Sequence, residues 1–388
     1  MQIGNWIAWL YWNPPREAFT VPLLDRPVMW YGISFVTGFI LGYFLIVPIL
    51  ASFLRQSKHL ASIDILNWPL LVKHLHTNNS SPLVQRCLSA LNPKAREHLQ
   101  KADGNQASDP FLQEQLLNSF NQVLQGCGVK REDFEQTFKG AIATATHTSH
   151  FLSDRLCWFI VAGTLIGARL GAVFFYDWPY FKEHPLEIFQ VWKGGLASHG
   201  GVLGVMLALY LYILYARQWM PSLSFLRLLD FVAIPSALAA FFIRLGNFMN
   251  QEILGTPSSL PWAVLFGQPA DGSALVPRHP VQLYEGVTYL ITFFFLYALW
   301  RKRGNEVGAG TYVGYLFIFI FSSRFILEFW KATQESILES GSLQMGQWLS
   351  IPFILLGILL VYKGQTACGN CATCPKRRNQ AEQSSCKK

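Results

Sequence analysis

Residues 241–255 read Phe-Phe-Ile-Arg-Leu-Gly-Asn-Phe-Met-Asn-Gln-Glu-Ile-Leu-Gly and come directly off a membrane-length apolar run. Arg244 is therefore a fixed cation at or near a bilayer, with Asn247, Asn250 and Glu252 close behind it. Polar groups in that position are costly unless they bind something. A guanidinium fits phosphate in a planar, two-point fork. The chemistry this block allows is the holding of an anion at a lipid surface. Other polar residues open or close apolar runs elsewhere. Tyr31 lies in Trp30-Tyr31-Gly32, and His199 lies in the Gly-rich segment 193–201. Arg278, His279, Gln282, Tyr284 and Glu285 open a later run, and Arg324 and Glu328 fall near the end of another.

Each of these has a plainer reading. Tyr31 is also what an interfacial anchor looks like. A lone His is more often structural than catalytic, and the glycines around His199 serve helix packing or a tight turn as readily as a ligand. Arg324 and Glu328 stand four apart, where an internal ion pair is the default. Arg244 resists such a reading, because its neighbours Asn247 and Asn250 add both donors and acceptors.

Positioning these residues falls to membrane-spanning helices. The chain has 388 residues, 51% hydrophobic and 14% charged, against roughly 25% charged in an ordinary soluble domain. The apolar residues fall in blocks, which predicts an all-α polytopic membrane protein. About seven spans are expected, over 28–54, 156–176, 196–216, 228–243, 284–300, 308–329 and 348–362. The formal charge of +8 lies largely between spans and at the tail, so topology explains it better than nucleic acid does. No cleavable signal peptide is evident at the N-terminus.

Arg55 and Lys58, Arg217, Arg301–Arg303, and Lys363 with Lys376–Arg378 all fall on one side if seven spans alternate. That side is expected to be cytoplasmic. The N-terminus, 177–195, 244–283 and 330–347 then lie outside, with an aromatic belt of Trp6, Trp9, Trp12, Trp178, Trp192, Trp262 and Trp330. The polar residues converge there, in an outer-face cavity with a small periplasmic segment. Four regions are expected: 1–55, outer N-terminus and first span; 56–150, a cytoplasmic helical insertion; 151–363, the catalytic core; and 364–388, a basic cytoplasmic tail containing Cys. Within the insertion, Phe111, Leu112, Leu116, Leu117, Phe120 and Leu124 recur at helical spacing, and Asn92-Pro93 and Asp109-Pro110 read as helix starts. A partly disordered linker is the competing reading. Cys368, Cys371 and Cys374 follow a C-x2-C-x2-C pattern without a well-spaced fourth ligand, so no metal and no cofactor are expected.

Gly-Gly-Leu-Ala-Ser-His-Gly-Gly at 194–201, Arg-Leu-Gly-Asn-Phe-Met-Asn-Gln-Glu at 244–252 with Gly255, and Arg-His-Pro-Val-Gln-Leu-Tyr-Glu at 278–285 resemble the prolipoprotein diacylglyceryl transferase family. Trp30-Tyr31-Gly32, Arg324-Phe-Ile-Leu-Glu328 and Met345-Gly-Gln347 extend the resemblance, which covers roughly 20–55 and 155–362. It implies seven spans and transfer of the diacylglyceryl group of phosphatidylglycerol onto the thiol of a lipobox Cys in a preprolipoprotein. It implies catalytic roles for His199 as base and for Arg244 and Arg324 on the phosphate. It implies head-group contacts from Tyr31, Arg244, Asn247, Asn250, Glu252, Gly255 and Arg324. The membrane implied is the bacterial inner membrane, and the expected state is a monomer. The family often carries a Tyr one turn before the second arginine; here that residue is Ile320, and Tyr315 or Ser323 is expected to supply the hydroxyl. The long insertion and the Cys tail also depart from the pattern. The alternative class is a lipid or solute transporter, which paired broken helices or a relay of ionisable groups through the membrane would mark. A receptor that kept the fold but lost the site is a third reading.

Overall fold

The computed structural model describes residues 9–22, 26–56, 64–78, 80–102, 109–126, 128–190, 195, 197–332 and 343–370. Three short strands lead in: β1 (Leu10–Trp12), β2 (Glu17–Val21) and β3 (Arg26–Met29). Helix α1 (Trp30–Gln56) follows, then five shorter helices: α2 (Trp68–Thr77), α3 (Pro82–Ser89), α4 (Pro93–Lys101), α5 (Pro110–Gln125) and α6 (Arg131–Thr137). Next come α7 (Ala145–Phe175), α8 (Trp178–Glu183), α9 (Ser198–Ala216) and α10 (Phe225–Met249). After β4 (Val264–Phe266) and β5 (Pro277–Arg278) the chain ends in α11 (Val281–Arg303), α12 (Thr311–Leu327) and α13 (Met345–Asn370). Seven of these helices are long and apolar enough to cross a membrane: α1, α7, α9, α10, α11, α12 and α13. The protein is a mostly helical, multi-pass membrane protein.

Two differences from the expected spans matter for function. Helix α10 continues to Met249 rather than stopping at 243, so Arg244 and Asn247 ride on its last turns. Helix α7 begins at Ala145, inside the segment that reads as polar. Its start is well capped: Thr144 accepts from the His147 N–H at 3.1 Å, and Glu135 Oε1 accepts from that of Ala145 at 2.6 Å. Capping of this kind fixes a helix start that hydropathy alone does not reveal. The two small sheets, β1-β4-β5 and β2-β3, are additions that the helical periodicity did not signal.

The chain divides into two compact units. One takes residues up to Ile46 together with those from Leu229 through α13, and the other runs Val47–Leu228. In the second unit α2 to α6 pack around Leu71, Cys87, Leu112, Leu116, Phe120, Phe134 and Phe138, all buried. The helix starts read from sequence are present. Asn92 caps α4 through Ala95 N–H at 2.6 Å, and Asp109 caps α5 through Phe111 N–H at 3.0 Å. Helices α7 and α9 of the same unit meet through glycines: a Cβ on Gly200 would stand 2.7 Å from Gly171 Cα. At Gly200, then, the packing reading holds.

In the first unit, fully buried Asp230 of α10 accepts from the N–H groups of Gly310 (2.8 Å) and Val313 (3.0 Å) at the start of α12. A carboxylate there satisfies orphan donors and suits the positive end of the helix. Helices α12 and α13 pack side by side, with Phe321 stacked on Phe353 at 4.4 Å between centroids. Strand β1 runs parallel to β4, and β4 antiparallel to β5. That sheet sits over the end of α10: Trp12 Nε1 donates to the Phe248 carbonyl at 3.2 Å, and Phe248, Leu254, Val264 and Phe266 form a small core beneath.

Candidate active site

The site of the first unit is built where α10 stops. The chain leaves the helix through Gln251 (φ 56°), and Ile253 also has φ 56°. Left-handed backbone is uncommon for any residue but glycine and worst for one branched at Cβ such as Ile253, so two left-handed residues flanking Glu252 mark a constrained turn. The turn folds Glu252 back under the helix, its N–H donating to the Asn247 carbonyl at 2.9 Å. Buried Gln251 holds the turn from outside, accepting from the Gln268 N–H at 2.7 Å.

A chain of hydrogen bonds results. Arg244 Nη1 donates to Asn247 Oδ1 at 3.1 Å. Asn247 Nδ2 donates to Glu252 Oε2, and Asn250 Nδ2 to Glu252 Oε1, each at 3.0 Å. Of the two amides the resemblance implies as head-group contacts, Asn247 holds Arg244 directly, while Asn250 reaches it only through Glu252 and keeps a buried Oδ1 without a hydrogen bond. Tyr31, at the start of α1, belongs to the same cluster, with its ring against Gly246. It feels the charges of both Glu252 and Arg244.

The block 278–285 braces this loop. Arg278, buried, donates from Nη1 to the Gly255 carbonyl at 3.1 Å, and Gln282 Nε2 donates to the Glu252 carbonyl at 2.5 Å. Neither is left over for a ligand through those groups. His279 Nδ1 lies 3.3 Å from the Tyr284 hydroxyl, and burial holds its imidazole below the ordinary range, which favours the neutral ring. Gly255 earns its place sterically, because a Cβ there would stand 2.7 Å from His279 Cβ and 2.8 Å from Val281 Cγ2.

Arg324 arrives on the last turn of α12. The segment beyond it is stitched to the Glu252 loop by backbone: Thr256 N–H donates to the Trp330 carbonyl at 2.8 Å, and Ala332 N–H to that of Leu254 at 3.0 Å. The Met345-Gly-Gln347 motif supports the same end. Gln347 Nε2 donates to the Phe325 carbonyl at 3.2 Å, and Gly346 leaves room for the Glu328 carboxylate. The default pair between Arg324 and Glu328 is not formed. Glu328 Oε2 instead meets Lys331 Nζ at 3.2 Å, and Arg324 makes no hydrogen bond or ion pair among the described residues.

Two members were missed in the sequence. Tyr289 stands one turn beyond Glu285 on α11, with Arg244 over its ring at 5.8 Å, and it feels the charges of both Arg244 and Arg324. It brings a hydroxyl beside Arg244, a place neither Tyr315 nor Ser323 takes among the described contacts. Ser323 donates back to the Ile320 carbonyl at 2.8 Å, and Tyr315 packs on Phe295 at 5.3 Å and meets Gln365. Lys331, nearly buried, joins Glu285 to Glu328. Their spacing was the available signal: Tyr289 is i+4 from Glu285, and Lys331 is i+3 from Glu328.

His199 belongs to the other unit, exposed in the first turn of α9. The loop before it is tied to α7 by Arg169, whose guanidinium donates to the carbonyls of Glu187 (2.6 Å), Ile188 (2.8 Å) and Gly195 (3.2 Å). Among the described residues no cluster of three or more His, Cys, Asp or Glu side chains could hold a metal ion. The side chain of Cys368, and Cys371, Cys374 and Cys386 entirely, lie outside the described residues.

The fold and these residues define a multi-pass membrane protein in which Arg244 is held among carboxylates and amides while Arg324 makes no hydrogen bond or ion pair among the described residues. A family model described as prolipoprotein diacylglyceryl transferase matches residues 129–363. The chain is 65% identical over 365 residues to a phosphatidylglycerol--prolipoprotein diacylglyceryl transferase of Protochlamydia amoebophila, covering 94% of this chain and 97% of that one. Proteins of the same name from Chloroherpeton thalassium and Chlamydia pneumoniae are 44% identical over 208 residues and 47% over 196. Those matches take in 54% and 50% of this chain, and 75% and 68% of the relatives. The chain belongs to the prolipoprotein diacylglyceryl transferase family.

Proposed function

We propose that this protein transfers the diacylglyceryl group of phosphatidylglycerol to the thiol of a lipobox cysteine in a prolipoprotein, at the outer face of the bacterial inner membrane. The thiolate sulfur attacks the glyceryl carbon. An S–C bond forms, the C–O bond to phosphate breaks, and its electron pair leaves on the phosphate oxygen of glycerol phosphate. No covalent enzyme intermediate is required. The phosphate gains one negative charge in this step, so cations placed before the reaction stabilise it most.

The observation that carries the reading is the unequal provision for two arginines. Arg244 is held by Asn247 and by a carboxylate. Arg324 makes no hydrogen bond or ion pair among the described residues, as suits a cation reserved for a ligand. Arg324 is assigned to the phosphate of the lipid, and Arg244 to the same phosphate as charge builds. Tyr31, with Asn247, Asn250, Glu252 and Gly255, shapes the head-group site, the amides acting through Arg244. His199 is assigned the thiol proton on its motif. The basic residues Arg55, Arg217, Arg301–Arg303 and Lys363 put the opposite ends of the spans in the cytoplasm. Incubating the purified protein with phosphatidylglycerol and a lipobox peptide tests this. Mass spectrometry should detect a thioether-linked diacylglyceryl peptide, and no such product from an active preparation would end the reading.

A further inference from the structure

Glu285 is fully buried on the second turn of α11. Its Oε2 lies 2.7 Å from Arg244 Nε, and its Oε1 lies 2.7 Å from Lys331 Nζ. Neither oxygen receives an aligned hydrogen bond, and neither does Arg244 Nε donate one. The contacts are therefore Coulombic, two cations closing on one carboxylate. A buried carboxylate is costly, and one cation repays that only where hydrogen bonds complete the pair, which these oxygens lack. The second cation therefore has two reasons to be there.

Charge supplies one. A single carboxylate against Arg244 would cancel the charge the lipid phosphate needs. Lys331 shares that carboxylate, so Arg244 is fixed in direction without being neutralised. Glu285 thus stands between Arg244 and Lys331, and Glu328 on the far side of Lys331. The transferred group leaves as a phosphate with one negative charge more than it brought, so a carboxylate left uncompensated beside Arg244 would oppose it.

We propose that Glu285 is a positioning residue for the transfer step. It sets the guanidinium of Arg244 where the departing phosphate will be, while Lys331 offsets its charge. The proposal rests on the transferase reading above and adds two residues to it. It separates two quantities. Glu285→Gln removes a negative charge, which favours anion binding, but it releases Arg244. Lys331→Gln leaves the whole carboxylate charge on Arg244 and weakens anion binding.

Steady-state kinetics with phosphatidylglycerol vesicles and a lipobox peptide decide the matter. Glu285→Gln is expected to lower kcat about 10- to 100-fold, the range for a displaced catalytic group, with no rise in KM for the lipid. Lys331→Gln is expected to raise that KM. In an Arg244→Lys background, Glu285→Gln should cost less than about threefold more, because the geometry it protects is already lost. An equal loss in both backgrounds would mean a role independent of Arg244 and would overturn the proposal. So would a raised KM with unchanged kcat in Glu285→Gln. Should that variant not fold, Lys331→Gln decides alone, and an unchanged KM refutes the charge offset. An inactive parent protein sinks the transferase reading itself, whereas an active parent with a parent-like Glu285→Gln sinks only this proposal.

Discussion

The Tyr31 ring packs against Gly246 so closely that a Cβ on residue 246 would stand 2.8 Å from Tyr31 Cδ2 and 3.2 Å from Tyr31 Cα. Helices α1 and α10 touch at this point, between Arg244 and Asn247 in sequence. Gly246→Ala must push Tyr31 or the helix aside, and overpacking of this kind costs about 1–3 kcal/mol. The expected result is a turnover at least about tenfold lower, with a modest fall in Tm. Tyr31→Phe, which keeps the ring, should leave Tm unchanged. Parent-like kinetics and stability in Gly246→Ala would show that this contact does not align the site.

The two arginines should respond differently to truncation. Arg244→Ala leaves Glu285 buried with one cation fewer, and breaking a buried pair costs about 3–5 kcal/mol. Its Tm should fall clearly. Arg324→Ala removes no described partner, so its Tm should stay near the parent value while activity is lost. Arg324→Lys tests geometry: a charge-assisted hydrogen bond is worth roughly 1.5–3 kcal/mol, so losing one slows turnover about 10- to 150-fold. Equal destabilisation of the two alanine variants would contradict the asymmetry.

Much of this arrangement was legible in the residues. The spans and the approximate ends of the helices follow from apolar blocks, because backbone in lipid has to satisfy its own hydrogen bonds. Arg244 stood out because an arginine on an apolar run needs a reason. The bonds around it did not stand out. The sequence shows Asn247, Asn250 and Glu252 as neighbours, but only the left-handed turn at Gln251 and Ile253 folds Glu252 back onto both amides. Arg278 read as one of several polar residues opening a span, yet it donates to the Gly255 carbonyl, a long-range fact that no local pattern contains. The spacing of Lys331 from Glu328 is in the chain, but its pairing with Glu285 is visible only once the backbone of 330–332 lies beside 254–256. Short spacings are written in the chain; which cation faces which carboxylate depends on how helices meet.

The insertion offers a test of packing by chemistry. Cys87 is fully buried in its core, and burial pushes its thiol up to about 12. The thiolate is the reactive form, so Cys87 should resist maleimide at about pH 8, where a free thiol begins to ionise, and react once the chain is unfolded. Peptide mapping after labelling reads this directly. The sign for stability follows. The native state keeps the proton after the unfolded state has lost it, so this contribution is complete below the ordinary thiol range and fades as pH rises towards about 12. Rapid labelling of Cys87 in the native protein would show that the core of α2 to α6 opens readily.

His199 provides the last expectation. If it takes the thiol proton, His199→Gln keeps a hydrogen-bonding side chain but cannot accept that proton, and general-base catalysis contributes about 10²- to 10⁴-fold. Turnover should fall within that range. A substrate thiol has a pKa of about 8.5, so the variant's residual rate should climb with pH as the thiol ionises unaided, and the gap to the parent should narrow. Arg244 and Arg324 complicate the size of the effect, because a positive field at the phosphate would also favour the thiolate. A loss smaller than tenfold together with a narrowing gap would still fit a base that the field partly replaces. A different pattern marks a residue that only orients the Gly-rich segment: a raised KM for the lipid, and a ratio to the parent that stays flat from about pH 6 to 9. Measuring the full profile at saturating phosphatidylglycerol separates the two, and a flat ratio removes His199 from the base role.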